Sequence, residues 1–282
     1  ITQQCKLLNI PCVIQKVYVA EGNVENQART SRYQAYQQHI QAHEVLVLAH
    51  HQQDQAETVL LRLFSGAGVQ GLSAMKQIDQ RDHLTLWRPL LDVSREQICQ
   101  WVQLAHIPYV DDPTNSDTHY DRAWCREELW HILQSRFPKM QQAVSRTSYL
   151  MQDADEILNE VLAQDLATCG NEQNIQIDAL NQLSKARQRQ LLSSWMRGES
   201  SYRPAFEMVQ RLVDEVIESK KDAQSALHWN GFYYVRFQKV LYRLDKATYL
   251  ADQHNLKLNQ QIQFSLNQFV KVESGNFQIE SA

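Results

Sequence analysis

The stretch Ala49-His50-His51-Gln52-Gln53-Asp54-Gln55-Ala56-Glu57-Thr58-Val59-Leu60-Leu61-Arg62, running on directly from Val45-Leu46-Val47-Leu48, decides how this 282-residue chain is read. The apolar run has the length and character of a strand buried in a parallel sheet. Past it the spacing turns helical. At about 100° per residue, His50, Asp54 and Glu57 are predicted on one face, with Ala56, Val59, Leu60 and Leu63 roughly opposite. An imidazole and two carboxylates then stand together beyond a strand end, where open α/β sheets bind their ligands. Like charges three apart weaken an isolated helix by roughly 0.2–0.5 kcal/mol. The cluster therefore points to a site rather than a solvated face. From residue types alone it could hold a divalent metal, bind a polyphosphate through Mg²⁺, or carry acid–base chemistry.

Working outward, residues 1–9 read as a helix ended by Asn9-Ile10-Pro11, and the chain is expected to begin inside a domain. Cys12-Val13-Ile14 and Val17-Tyr18-Val19 read as strand, Glu21-Gly22-Asn23 as a turn, and Val24 to about His39 as helix. This order is the βαβ grammar of a parallel α/β sheet. Ser65-Gly66-Ala67-Gly68-Val69-Gln70-Gly71 matches a dinucleotide-binding string, but its glycines follow a helix, so a glycine-rich C-cap and turn is the better reading. Leu84-Thr85-Leu86-Trp87 reads as a strand running into Arg88-Pro89-Leu90-Leu91. Ser94-Arg95-Glu96-Gln97 carries a capping-box pattern that opens a helix to Ala105. The polar loop Asp111-Asp112-Pro113-Thr114-Asn115 leads through Tyr120–Arg126 to a helix ending near Phe137. The expected organisation is an α/β domain over 1–137, a helical connector over 138–165 and a small α+β domain over 166–248. The start of a further domain is expected at 249–282. Within the small domain, Trp229 and Phe232 flank Asn230-Gly231, a strong hairpin signal, and the alternating aromatics after it read as core packing.

Composition narrows the class. A net charge of −4 excludes a globally basic nucleic-acid coat, so any such contact must be local. The five dispersed cysteines have no CxxC spacing, which signals neither a zinc site nor a redox pair and suits a reducing cytosol. No apolar run reaches the roughly 18 residues of a membrane span. Arg29 and Arg32 sit on adjacent turns of one helix and suit an anion clamp, and Arg122 and Arg126 share another helix face. Arg136, Lys139 and Arg146 make the region after them locally basic.

In this order, Ala28-Arg29-x-x-Arg32-Tyr33, Ala49-His50-x-x-x-Asp54-x-x-Glu57-Thr58, Gly66-x-Gly68-x-x-Gly71-Leu72, Arg88-Pro89-Leu90-Leu91, Asp112-x-Thr114-Asn115 and Arg122-x-x-x-Arg126 form a specific set. The set resembles the bacterial tRNA(Ile)-lysidine synthases, a family of the PP-loop ATP pyrophosphatase superfamily. The resemblance is specific from about Glu25 to Arg126 and weaker to about Asp245. It implies a parallel-sheet PP-loop fold of the adenine nucleotide alpha hydrolase type, followed by a tRNA-binding domain. The implied reaction joins L-lysine to C2 of the wobble cytidine of tRNA(Ile) with a CAU anticodon, through an ATP-adenylated base. ATP and Mg²⁺ are the implied cofactors, the cytoplasm the implied location, and a homodimer is left open.

By the same resemblance Arg32, His50, Asp54, Glu57, Arg122 and Arg126 are catalytic, and Arg29, His50, Gly66 and Gly68 bind the nucleotide. Asp112, Asn115, Arg136 and Lys139 contact substrate, and no protein metal site is implied. Asp54 and Glu57 are expected to position and deprotonate the incoming lysine ammonium. Four departures stand out. The family's Ser-Gly-Gly-x-Asp-Ser phosphate loop is absent, Gln53 replaces a common acid, Ala123 a usual Asn, and Ser65 a common Arg. Without that loop, and with most of the last C-terminal domain missing, this stretch alone is expected not to form the adenylate. The alternatives are another PP-loop tRNA-modifying enzyme or a non-catalytic tRNA-binding remnant.

Overall fold

The computed structural model describes residues 1–18, 24–41, 43–110, 117–200, 203–219 and 225–250, together with the backbone of 269–272 and 275–278. Contacts divide the chain into two units, Ile1–Glu156 and Ile157–Ala282.

The first unit opens with α1 (Thr2–Leu7), α2 (Val24–His39), β1 (Val45–Val47) and α3 (Gln52–Phe64). Gly66 at φ +75° breaks away after α3, and Gly68 accepts from Leu72 to start the single turn α4 (Val69–Leu72). β2 (Ile78–Arg81) and β3 (Leu84–Trp87) form a hairpin turned at Asp82, φ +54°. The sheet order is β1-β3-β2, with β1 parallel and β2 antiparallel to β3. α5 (Arg95–Leu104) begins in the expected capping box: Ser94 Oγ accepts from Gln97 N at 3.2 Å, and Gln97 Oε1 accepts from Ser94 N at 3.1 Å. α6 (Asp121–Trp124), a π-helical turn at Cys125–Leu129 and α7 (Trp130–Arg136) follow as one rod, and α8 (Met140–Cys169) begins in this unit.

Three expectations change. Cys12–Ile14 and Val17–Tyr18 join no sheet, and Val13, Ile14 and Tyr18 are largely exposed. β1 is not buried on both faces: Val45 and Val47 are about half exposed, 47% and 55%, while Leu84 and Leu86 of the neighbouring β3 are fully buried. The polar side of α3 is a buried side, since Gln53, Gln55, Glu57 and Thr58 are withdrawn from solvent along with Ala56 and Val59. Amphipathic reasoning misses this because each buried polar group has found a partner. Gln55 Nε2 donates to Met75 O at 2.8 Å and to Ser148 Oγ at 2.9 Å, and its Oε1 accepts from Met75 N at 3.0 Å. Opposite, Ala56 packs against Trp130 and Met140.

The second unit holds the rest of α8, then β4 (Asn174–Gln176), α9 (Ile177–Gln182), α10 (Lys185–Arg197), α11 (Phe206–Arg211) and a π-helical turn Leu212–Ile217. β5 (Ala226–Trp229), β6 (Phe232–Phe237) and β7 (Val240–Asp245) complete an antiparallel sheet of order β4-β7-β6-β5. The expected Asn230-Gly231 turn joins β5 to β6, with both residues at positive φ. Tyr234 is fully buried as the centre of the core, stacked edge-on to Trp195, and its hydroxyl donates to Met196 O at 3.2 Å. Two further strands, β8 (Phe269–Val272) and β9 (Gly275–Gln278), pair with each other. The expected turn at Glu21-Gly22-Asn23 lies outside the described residues.

Gln55→Leu keeps the volume but leaves Met75 N without its acceptor and Ser148 Oγ without its donor, while Met75 O keeps only Gln152 Nε2 at 3.1 Å. It is expected to lower stability to urea by about 2–3 kcal/mol, whereas Gln52→Leu on the same helix is expected to stay within about 0.5 kcal/mol of the parent.

Candidate active site

β1 and β3 run parallel, so the segments leaving them emerge at the same sheet edge. His50 lies three residues past β1 and Arg88 one residue past β3. Leu48 N donates to Trp87 O at 2.8 Å and Gln52 N to Val93 O at 3.0 Å, which stitches the two exits together. α3 starts here with His51 as its N-cap. Asp54 turns back to accept from His51 N at 2.9 Å, satisfying a helix-end donor. His50 therefore precedes the helix, and the expected i, i+4, i+7 face reduces to Asp54 and Glu57 with His50 beside its start.

Glu57 is 0% exposed, and both of its oxygens are engaged. Arg126 grips it as a fork, Nε to Oε1 and Nη2 to Oε2, each at 2.9 Å. Gln53 Nε2 adds a bond to Oε1 at 3.1 Å, and Arg122 Nε stands 3.7 Å from Oε2. Arg122 is also held through Nη2 on Thr58 Oγ1 at 2.9 Å, and that hydroxyl donates to Asp54 O at 2.7 Å. The π-helical turn begins one residue before Arg126, where helices often distort at functional positions. The bond to Glu57 raises the Arg126 pKa, while burial, followed by the Glu57 charge, pushes up that of the enclosed Cys125 thiol.

Arginines gather around His50. Burial lowers its pKa most; Asp54 opposes the shift, while Arg88, Arg122 and Arg29 reinforce it. Burial also lowers the pKa of Arg62, again with Arg29, Arg122 and Arg88 as the neighbouring cations. Arg62 Nη1 donates to Gly71 O at 2.8 Å and Ala74 O at 3.2 Å, anchoring the chain after the glycine turn. Arg88, only 4% exposed, donates from Nη1 to Lys76 O at 2.7 Å and lies 3.7 Å from Asp79. His50 Nδ1 and Arg88 Nε are buried without a hydrogen-bond partner. A crowded set of cations with unspent donors at a sheet edge suits an anionic ligand.

The structure thus gathers His50, Asp54, Glu57, Arg122 and Arg126, with Arg29 close enough to act on His50. Arg32 is exposed on α2, and none of the bonds around Glu57 involves it. Gly66 and Gly68 lie in the exposed turn after α3, with open space where a side chain would stand. Arg136 and Lys139 are exposed and take no part in the Glu57 bonds. Asp112 and Asn115 lie outside the described residues. Sequence reasoning gave no part to Arg62; Thr58 and Arg88 entered only as motif letters, and Gln53 only as a departure from the family pattern. The usable signal was a charge inside an apolar run: Arg62 within Leu60–Phe64, and Arg88 between Trp87 and Pro89. Among the described residues, no group of three His, Cys, Asp or Glu side chains could hold a metal, and no helix is long and apolar enough to cross a membrane.

With this geometry in place, similarity to known proteins defines the class. Residues 1–133 match the PP-loop domain and residues 175–242 the TilS substrate binding domain. The chain is 62% identical over 242 residues to the tRNA(Ile)-lysidine synthase of Acinetobacter baylyi, covering 86% of this chain and 53% of that protein. The tRNA(Ile)-lysidine synthases of Haemophilus ducreyi and Pectobacterium atrosepticum are 35% and 36% identical over 84% and 89% of this chain, and 56% and 58% of theirs. Over most of its length the chain is similar to the tRNA(Ile)-lysidine synthases. It spans about half the length of the curated relatives it matches.

Because its pKa is lowered on folding, His50 stays neutral in the folded chain, and its contribution to stability is present above its ordinary pKa of 6.5. It is lost as pH falls through the depressed folded value. Melting temperature is expected to drop between pH 7 and 5 in the parent and to drop less steeply in His50→Gln. Superimposable pH profiles would contradict the burial of a neutral imidazole.

Proposed function

We propose that this chain supplies catalytic and tRNA-binding parts of an ATP-dependent carbon–nitrogen ligase that joins L-lysine to C2 of the wobble cytidine of tRNA(Ile) with a CAU anticodon. The observation that carries this reading is the arginine pair locked on buried Glu57 beside His50, at the edge where a PP-loop sheet meets its ligand. The names of the relatives support the substrate.

In the first step the C2 carbonyl oxygen of the base attacks the α-phosphorus of ATP, and the bond to pyrophosphate breaks. In the second the lysine amine bonds to C2, the bond to AMP breaks, and the amine loses a proton. Both steps develop negative charge on phosphate oxygens, which fixed guanidinium groups stabilise. Arg122 and Arg126 take that role, since Glu57 sets their position. Arg29 and Arg32 approach from α2 as further phosphate contacts, with backbone at Gly66 and Gly68.

Glu57 is a positioning residue in this scheme, because its two oxygens already receive Arg126. Asp54 is the carboxylate left to receive the lysine ammonium, and neutral His50 orients the adenylate by a hydrogen bond. Mg²⁺ fits best as an ion carried in on the phosphates with few protein ligands, a common arrangement for this metal. Asp112, Asn115, Arg136 and Lys139 are assigned to substrate, and action in the cytoplasm, as monomer or homodimer, is part of the reading. The parts follow the sequence divisions: PP-loop at 1–137, connector at 138–165, tRNA-binding domain at 166–248, further domain from 249.

The test is ATP–pyrophosphate exchange and lysine incorporation into tRNA(Ile) transcript. It is run on the chain alone and on the chain extended at its N-terminus by a segment carrying the Ser-Gly-Gly-x-Asp-Ser phosphate loop of the family pattern. Activity is expected in the extended protein, with Arg126→Ala reducing lysine incorporation by about 100-fold or more. An extended, folded protein with no exchange would refute the ligase reading.

A further inference from the structure

The second unit contains a groove of about 760 Å³ that the ligase chemistry leaves unused. Its floor is apolar, formed by Leu162 of α8, Leu191 and Trp195 of α10, and Phe232 of β6. Its charged lining is two arginines, Arg197, the last residue of α10, and Arg243 of β7, together with Glu172 and Glu199. The Arg243 guanidinium lies over the Phe232 ring at 3.9 Å from its centroid, and Nη1 donates to Trp195 O at 3.4 Å. Nε of Arg197 and Nε of Arg243 are both buried without a hydrogen-bond partner.

The residue after Arg197 is part of the construction. Gly198 has φ +51°, and a Cβ there would lie 2.6 Å from both terminal nitrogens of Arg243. Only glycine lets the chain turn after α10 while the guanidinium remains in place. A backbone position has thus been given up to seat a cation over an aromatic ring, at the edge of an open groove. Two buried guanidinium donors left unpaired carry a desolvation cost that an anionic acceptor would relieve.

We propose that this groove is a nucleotide pocket, taking a planar base against the Phe232–Arg243 plane and its phosphate on Arg197. The volume falls within the range of small-ligand sites, and apolar floor, stacking plane and guanidinium are the three elements by which proteins hold unpaired nucleotides. A simple acyl anion would use the floor and the charge but not the stacking plane. The nucleotide could be a base turned out of bound RNA or a free mononucleotide. The RNA source rests on the tRNA-modifying function proposed above.

The full 282-residue chain and its Arg197→Gln and Phe232→Leu variants are titrated with unmodified tRNA(Ile) transcript and, separately, with AMP and CMP, by filter binding and calorimetry. Loss of stacking or of the phosphate contact is expected to weaken binding by about tenfold. Weakened transcript binding, with AMP or CMP competing, supports a base from RNA. Weakened mononucleotide binding with transcript binding unchanged supports a free nucleotide. A parent chain that binds mononucleotide but no transcript sinks the tRNA reading and leaves the pocket standing. Affinities within twofold of the parent for all ligands in both variants overturn the pocket, as does a parent chain that binds neither. Hydrogen exchange on the parent chain gives a reading independent of variant folding. Amides at 195–200 are expected to slow when ligand is added, and unchanged exchange counts against the pocket.

Discussion

A carboxylate withdrawn completely from water, held by the fork of one arginine and flanked by a second, is the constraint around which the first unit is arranged. An ionised Glu57 could not be buried alone; the desolvation penalty would neutralise it or expel it. Arg126 meets that demand in the bidentate geometry that carboxylates accept best, and Gln53 takes up a remaining lone pair. The consequence reaches beyond the pair. The rod of α6, the π-helical turn and α7 is tethered to α3 at the point where Arg122 and Arg126 leave it. Both guanidinium groups are thereby fixed beside His50 at the sheet edge. Removing the carboxylate would leave two cations without a counter-charge and a rod without its tether.

The same economy recurs around the glycine turn. Arg62 and Arg88 carry their charge into partly or wholly buried places, and spend their hydrogen bonds on the backbone carbonyls of Gly71, Ala74 and Lys76. A segment with little regular structure is thus pinned by side chains rather than by a ladder. Buried cations that serve as braces also raise the local positive potential, so a single set of residues shapes the loop and prepares an anion site. Burial keeps His50 neutral in that field, leaving it able to donate or accept a hydrogen bond.

Much of this was legible in the chain. The apolar run at Val45–Leu48, the periodicity after Gln52, the capping box at Ser94 and the Asn230-Gly231 turn each have a local physical cause, and each is where it was expected. The pairing of Arg122 with Arg126 at i, i+4 was also legible. What was hidden was non-local. The exposure of β1 depends on which strands flank it, and His50 leaves the helix because His51 and Asp54 form the cap. The burial of the polar side of α3 depends on partners about 70 residues further on, such as Arg126 for Glu57. Periodicity reports the contrast between apolar and polar residues; it cannot report that a polar residue has met its match. The clues that remained were arginines set inside apolar runs.

The claim on which the rest depends is that Glu57 acts by holding Arg126 in place. A double-mutant cycle of Glu57→Gln and Arg126→Gln, read by urea unfolding, measures that coupling directly. The expected result is a coupling of about 2 kcal/mol or more, reflecting a partly buried charge-assisted fork. A coupling below about 0.5 kcal/mol, with the two variants simply additive, would contradict it.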